Sequence, residues 1–116
     1  MTMAPAGVAR EREGSRDVYE IRFAEGVADD LADVPTHERA RILDSIEVQL
    51  KGEPTRRTQN KKMLVGLTPP WEYVEPIWEL RAGEYRIFYD VDEAASVVIV
   101  RAIRHKPPHK TTEDIL

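Results

Sequence analysis

Along Tyr19-Glu20-Ile21-Arg22-Phe23 apolar and polar residues alternate, the period-2 signature of a strand with one face buried. The period then lengthens. Val27, Leu31 and Val34 stand at helical spacing, and Pro35 closes that short helix. Thr36 is placed to N-cap a second helix, with Glu38 in the first turn where the helix dipole favours a carboxylate. Ile42, Leu43, Ile46 and Leu50 form a stripe along one side of that helix. Gly52 and Pro54 stop it. From residue 53 to 76 the pattern is mixed. Met63-Leu64-Val65 suits a short strand, whereas Thr68-Pro69-Pro70 must be loop, because a central strand needs the N–H groups that proline lacks.

Beyond Pro76 the period returns to 2. Ile77 to Arg81 predicts a strand, Ala82-Gly83-Glu84 a tight turn, and Tyr85 to Asp90 the returning strand. Asp92-Glu93-Ala94 turns again, and Ser96 to Ile103 is apolar enough on both faces to be a central strand. Pro107-Pro108 ends it. The order strand, helix, helix, strands predicts an α+β domain. Two N-terminal helices pack on one face of a mostly antiparallel sheet of four to five strands, with 85–90 beside 96–103. Residues 1–17 carry Pro5, Gly7, Gly14 and clustered charge without an apolar period. They read as a disordered N-terminal tail, which leaves 18–116 as the single domain.

The chain of 116 residues is long enough for one self-sufficient core. It has no cysteine, so a disulfide framework, a thiol nucleophile and a thiolate metal site are excluded. No apolar run is long enough to cross a membrane and no secretory signal is visible, so a cytoplasmic protein is expected. A net charge of −4 argues against a generally basic nucleic-acid coat. The charge is uneven, however: residues 1–50 carry a net −5 and residues 51–116 a net +1. Arg56, Arg57, Lys61 and Lys62 form one basic cluster. Arg101, Arg104, Lys106 and Lys110, with His105 and His109 alongside, form another. Such clusters make either a local anion site or ordinary solvated surface.

Period 2 assigns Trp78, Leu80, Tyr85, Ile87 and Tyr89 to the helix side of the hairpin. Ile77, Glu79, Arg81, Arg86 and Phe88 then share the opposite side. That side is expected to be an open, polar face, with Phe88 and Ile77 exposed and available to another chain. From spacing alone, Glu79 and the arginines form either a cross-strand ion pair or a site.

The run Trp78-Glu79-Leu80-Arg81-Ala82-Gly83-Glu84-Tyr85-Arg86-Ile87-Phe88-Tyr89-Asp90-Val91-Asp92-Glu93 resembles the hairpin of the RelE/ParE toxin superfamily, roughly W-x-L-R-x-G-x-Y-R-x-F-Y-x-x-D. Val100 to Lys106 resembles the family's last strand and the basic stretch after it. Tyr19 to Phe23, the two helices and Gln59 to Leu64 fall where the family places them. The resemblance implies the toxin of a type II toxin–antitoxin pair, a metal-independent and cofactor-free ribosome-dependent mRNA endoribonuclease that inhibits translation. The alternatives are a non-catalytic ParE-like toxin that binds DNA gyrase, or a degenerate member that retains only antitoxin binding. It also implies a cognate antitoxin and, for the nuclease, the ribosome and mRNA as partners. Arg86 matches the arginine that meets the scissile phosphate, and Lys106, after His105, matches the basic residue beyond the last strand. Two departures stand out: Glu79 where the family often has lysine, and no tyrosine after Tyr89.

The chemistry of RNA cleavage names the same groups. A base must take the 2′-OH proton, a cation must meet the charge growing on phosphate, and an acid must protonate the leaving oxygen. Arg86, Glu79, Lys106 and His105 are the catalytic candidates; Lys61, Lys62, Arg81, Arg104 and His109 are the RNA-binding ones. Pro107-Pro108 forbids the helix that would pair His105 with His109 as metal ligands, so no metal site is expected. Nor is there a Gly-rich phosphate loop or a nucleophile elbow. Trp71 and Tyr73 either stack on bases or cover the edge of the core.

Overall fold

The computed structural model describes residues 18–116. The tail expected at 1–17 lies outside the described residues. Strand β1 (Glu20–Phe23) leads into helix α1 (Val27–Ala32) and helix α2 (Thr36–Leu50). Strands β2 (Lys61–Leu64), β3 (Ile77–Ala82), β4 (Tyr85–Asp92) and β5 (Val97–His105) follow, then a single 3-10 turn at Glu113–Ile115. The strand order is β1-β5-β4-β3-β2. β1 runs parallel to β5 and every other pairing is antiparallel. The α+β class, the two helices, the five-stranded sheet and the β4–β5 neighbourhood are therefore as the patterning predicts.

Both helices pack on the same face of the sheet, although Leu43 of the expected stripe stays 40% exposed. Val27, Val34, Ile42, Ile46 and Leu50 meet Trp78, Leu80, Ile87, Tyr89, Val98, Val100 and Ile103 in one core. At the start of α2 the expected cap shifts by one residue. Thr36 is the first helical residue, and Pro35 occupies the cap position without a side-chain hydrogen bond. Its carbonyl instead accepts the N–H groups of Glu38 and Arg39. At the β3–β4 turn Gly83 has φ 62, as a two-residue hairpin with glycine in first place requires.

The opposite face of the sheet is not open. The segment 65–76 folds across it, and the Trp71 ring lies 5.3 Å from that of Phe88. Phe88 is 0% and Ile77 4% exposed, so the apolar surface expected there for another chain is already buried by this chain's own loop. The Val74 N–H donates to Asp90 Oδ2 at 3.1 Å and so pins the far end of the loop. Asp90 is itself buried and accepts two bonds from Arg101, at 2.8 and 3.2 Å. Arg101 reaches it because the β4–β5 register shifts between Phe88 and Tyr89. Phe88 faces Ala102 while Tyr89 faces Val100, so Arg101 is the extra residue of a bulge.

Candidate functional site

Beyond the loop-covered half of that face, the register gathers charge. Lys62 of β2 stands opposite Glu79 of β3, and Arg81 of β3 stands opposite Arg86 of β4. All point away from the helices, because Leu80 and Ile87 between them point in. β5 ends at His105, and the chain turns there to bring Lys106 alongside, its N–H donating to Glu84 O. The result is a cleft of about 210 Å³ lined by Gln59, Asn60, Lys62, Glu79, Arg81, Arg86, Lys106 and Thr112. Four cations surround one carboxylate.

Arg86 is held by the backbone. Its Nη1 donates to the carbonyls of Gly83 and Tyr85, both at 2.9 Å, so the hairpin turn itself orients the guanidinium. Burial pulls its pKa below the ordinary arginine value, Glu79 offsets part of that, and Arg81 adds to it. It remains charged at neutral pH, as arginine does in proteins. Glu79 is 3% exposed. Its Oε2 accepts a hydrogen bond from Thr112 Oγ1 at 2.9 Å and lies 3.8 Å from Arg86 Nε. Its Oε1 lies 3.6 Å from Lys62 Nζ. Both cations stand beyond hydrogen-bond range, so the hydroxyl is the closest partner of the carboxylate. Among the described residues Arg81 and Lys106 make no ion pair. Two arginines directly opposite each other across strands repel, and an anion between them would relieve that repulsion.

Of the sequence candidates, the fold unites Arg86, Glu79, Lys106, Lys62 and Arg81. It places the others elsewhere. His105 sits opposite Tyr85 on the helix side, its ring 5.1 Å from the tyrosine and its Nε2 3.0 Å from Glu84 Oε1. Lys61 points into the protein and donates to the carbonyls of Gln49 (3.0 Å) and Glu53 (2.7 Å), closing the C-terminal end of α2. Burial lowers its pKa, and Glu53 opposes that. Arg104 pairs with Asp30 Oδ2 at 3.0 Å and lies 5.0 Å over the Trp71 ring, and His109 is exposed in the segment after β5. The bulge at Arg101 flips the phase of β5 and so puts His105 on the side away from Arg86, which alternation along that strand does not show. Lys61 and Arg104 are drawn off by the groups beside them, which spacing does not show. Thr112, Gln59 and Asn60 were missed, because only tertiary folding brings the C-terminal segment and the loop before β2 to this cleft.

Residues 21–106 match the family described as the ParE toxin of a type II toxin–antitoxin system, parDE. The chain belongs to this toxin family. Its hairpin likeness to the RelE/ParE superfamily thus extends over the domain. No curated protein matches this family member in sequence. Its fold is that of RelE toxins. The archaeal RelE–RelB complex from Pyrococcus horikoshii superposes with a TM-score of 0.61 at 23% identity, covering 81% of this chain and 99% of that one. The toxin–antitoxin complex RelBE2 from Mycobacterium tuberculosis gives 0.58 at 20% identity, over 78% and 93% of the two chains. The isolated RelE toxin of E. coli gives 0.54 at 23% identity, over 79% and 88%. Among the described residues no helix is long and apolar enough to cross a membrane.

Proposed function

We propose that this toxin inhibits translation by cutting mRNA on the ribosome, and that a cognate antitoxin of the RelB kind restrains it. The observation that carries the reading is the cleft in which Lys62, Arg81, Arg86 and Lys106 surround Glu79. Its surplus of positive charge suits a phosphodiester, and a carboxylate stands within it. Arg86, preset by the turn carbonyls, meets the scissile phosphate with its remaining N–H groups. Glu79 is the one carboxylate lining the cleft and takes the proton of the 2′-OH. The 2′-oxygen attacks phosphorus and the bond to the 5′-oxygen breaks. Lys106 gives that oxygen its proton, leaving a 2′,3′-cyclic phosphate and a 5′-hydroxyl. Arg86, Lys106 and Lys62 stabilise charge that grows on the phosphate in the transition state.

The family match to ParE toxins favours a second reading, in which the same domain binds DNA gyrase without cutting RNA. Primer extension on mRNA from cells expressing the toxin, run beside a plasmid supercoiling assay, separates the two. The nuclease reading expects new 5′ ends on mRNA and unchanged supercoiling. Arg86→Ala should then lose on the order of a hundredfold or more in cleavage. Arg86→Lys should rescue poorly, since a point charge does not reproduce the guanidinium fork. The Arg86 side chain also ties the hairpin carbonyls and faces buried Glu79, so the alanine variant should be less stable by about 1–3 kcal/mol. Its folded fraction must be measured alongside. Intact mRNA with relaxed plasmid would replace the nuclease by the gyrase binder.

A further inference from the structure

We propose that Thr112 is a positioning residue of the cleft: its hydroxyl holds the Glu79 carboxylate off Arg86 and so keeps the guanidinium free for a phosphate group. The inference deepens the nuclease reading and rests on it for the nature of the ligand. A carboxylate and a guanidinium at close quarters normally collapse into a paired bridge at about 2.7–2.9 Å. Here Glu79 Oε2 stops 3.8 Å from Arg86 Nε, although both side chains are largely buried and little water screens them. That same oxygen is the one bonded to Thr112 Oγ1 at 2.9 Å. The hydroxyl competes for Oε2 from the C-terminal segment, and Gly83 O and Tyr85 O compete for the guanidinium from the hairpin. Each partner is thus retained by a third group. An incoming phosphate oxygen meets a guanidinium whose Nε is not hydrogen-bonded to the carboxylate.

The segment that delivers Thr112 is built for the purpose. Thr111 N–H donates to Asp114 Oδ2 at 3.0 Å, and Asp114 N–H donates back to Thr111 Oγ1 at 3.2 Å. This reciprocal pair fixes the turn on which Thr112 sits. Those bonds, with Lys110 and His109 nearby, hold the Asp114 carboxyl below its ordinary range.

The test is a binding cycle on the full chain, read by isothermal titration with an oligoribonucleotide carrying 2′-O-methyl groups, which cannot be cut. Inorganic phosphate serves as a second probe. Thr112→Val keeps the shape of the side chain and removes its donor. It should weaken both probes about tenfold, because an incoming anion must then first break the charge-assisted pair that Glu79 forms with Arg86 in the absence of the hydroxyl. Thr112→Ser should bind like the wild type. In a Glu79→Gln background the valine substitution should change nothing further, because no anion remains to collapse onto Arg86. A merely structural threonine would instead weaken binding equally in both backgrounds, and that overturns the proposal. Unchanged binding by Thr112→Val, or no binding of either probe by the wild type, overturns it as well. Because nothing is cut in this assay, an mRNA left intact in cells would defeat the nuclease reading without deciding this cycle.

Discussion

At the scale of single residues, the buried polar groups show what each position contributes. Tyr89 is fully buried in the helix-side core and donates its hydroxyl proton to Pro54 O at 2.6 Å. Burial raises its pKa well above the ordinary 10.0, because a phenolate there would lose its water. The folded state therefore holds this proton more tightly than the unfolded chain does. The contribution is complete below pH 10.0 and is lost as the pH climbs toward the folded value. Urea unfolding followed between pH 7 and 11 should show stability falling above about pH 10. Tyr89→Phe should lower stability at neutral pH by about 1–3 kcal/mol, through the orphaned carbonyl of Pro54, and should flatten the alkaline decline. An equally steep decline in the phenylalanine variant would assign it to other groups. Legibility also divides at this scale. Arg86 and Glu79 were readable because period 2 and the hairpin motif put them on one face. Thr112 was unreadable, because nothing local says that a threonine in a proline-flanked segment returns to a strand 33 positions earlier.

At the scale of elements, the segment 65–76 changes what the sheet can do. Helix packing covers only one face, and alternation alone predicted the other to be bare. The prolines at 69, 70 and 76 exclude this stretch from the ladder, yet Trp71 and Val74 N–H fasten it across the strands. It forms a small second core over Phe88, and Arg104 closes it from the side. Trp71→Ala should cost about 3 kcal/mol, near the lower end for deleting a large aromatic, since the ring is only partly buried. Val65→Ser, at a position 82% exposed on the same segment, should move the unfolding midpoint little. Comparable losses in the two variants would mean that the segment is held by its backbone rather than by the tryptophan.

For the whole molecule, the decisive property is charge separation on an acidic chain. The net charge is −4, yet the cleft alone gathers four cations around one carboxylate. On the nuclease reading, RNA should bind through few phosphates and along one path. The logarithm of the binding constant should fall with the logarithm of salt concentration by about 0.7 for each phosphate neutralised on a single strand. Arg81, unpaired among the described residues, should carry one such contact. Arg81→Ala should reduce the slope by about 0.7 and leave the melting temperature nearly unchanged. Lys61→Met should leave the slope intact and lower stability, because its ammonium already caps the end of α2. A slope that responds to Lys61 but not to Arg81 would move the RNA path off this cleft.

The local code determined the elements, since periods of 2 and 3.6 record which side of each segment meets the core. It also determined the antiparallel hairpins, whose partners are separated only by short turns. The family followed from the same hairpin. Tertiary structure alone decided the pairing of β1 with β5. Their partners lie 77 positions apart, and no turn chemistry connects them. It also decided which basic residues face the cleft. Lys61 and Lys62 are adjacent in sequence, yet a strand sends one into the interior and the other to Glu79. The closing contact of the site was settled the same way. A hydroxyl near the C-terminus and a carboxylate on β3 meet only after every strand is in register, because their attraction is too weak to act before the core has formed.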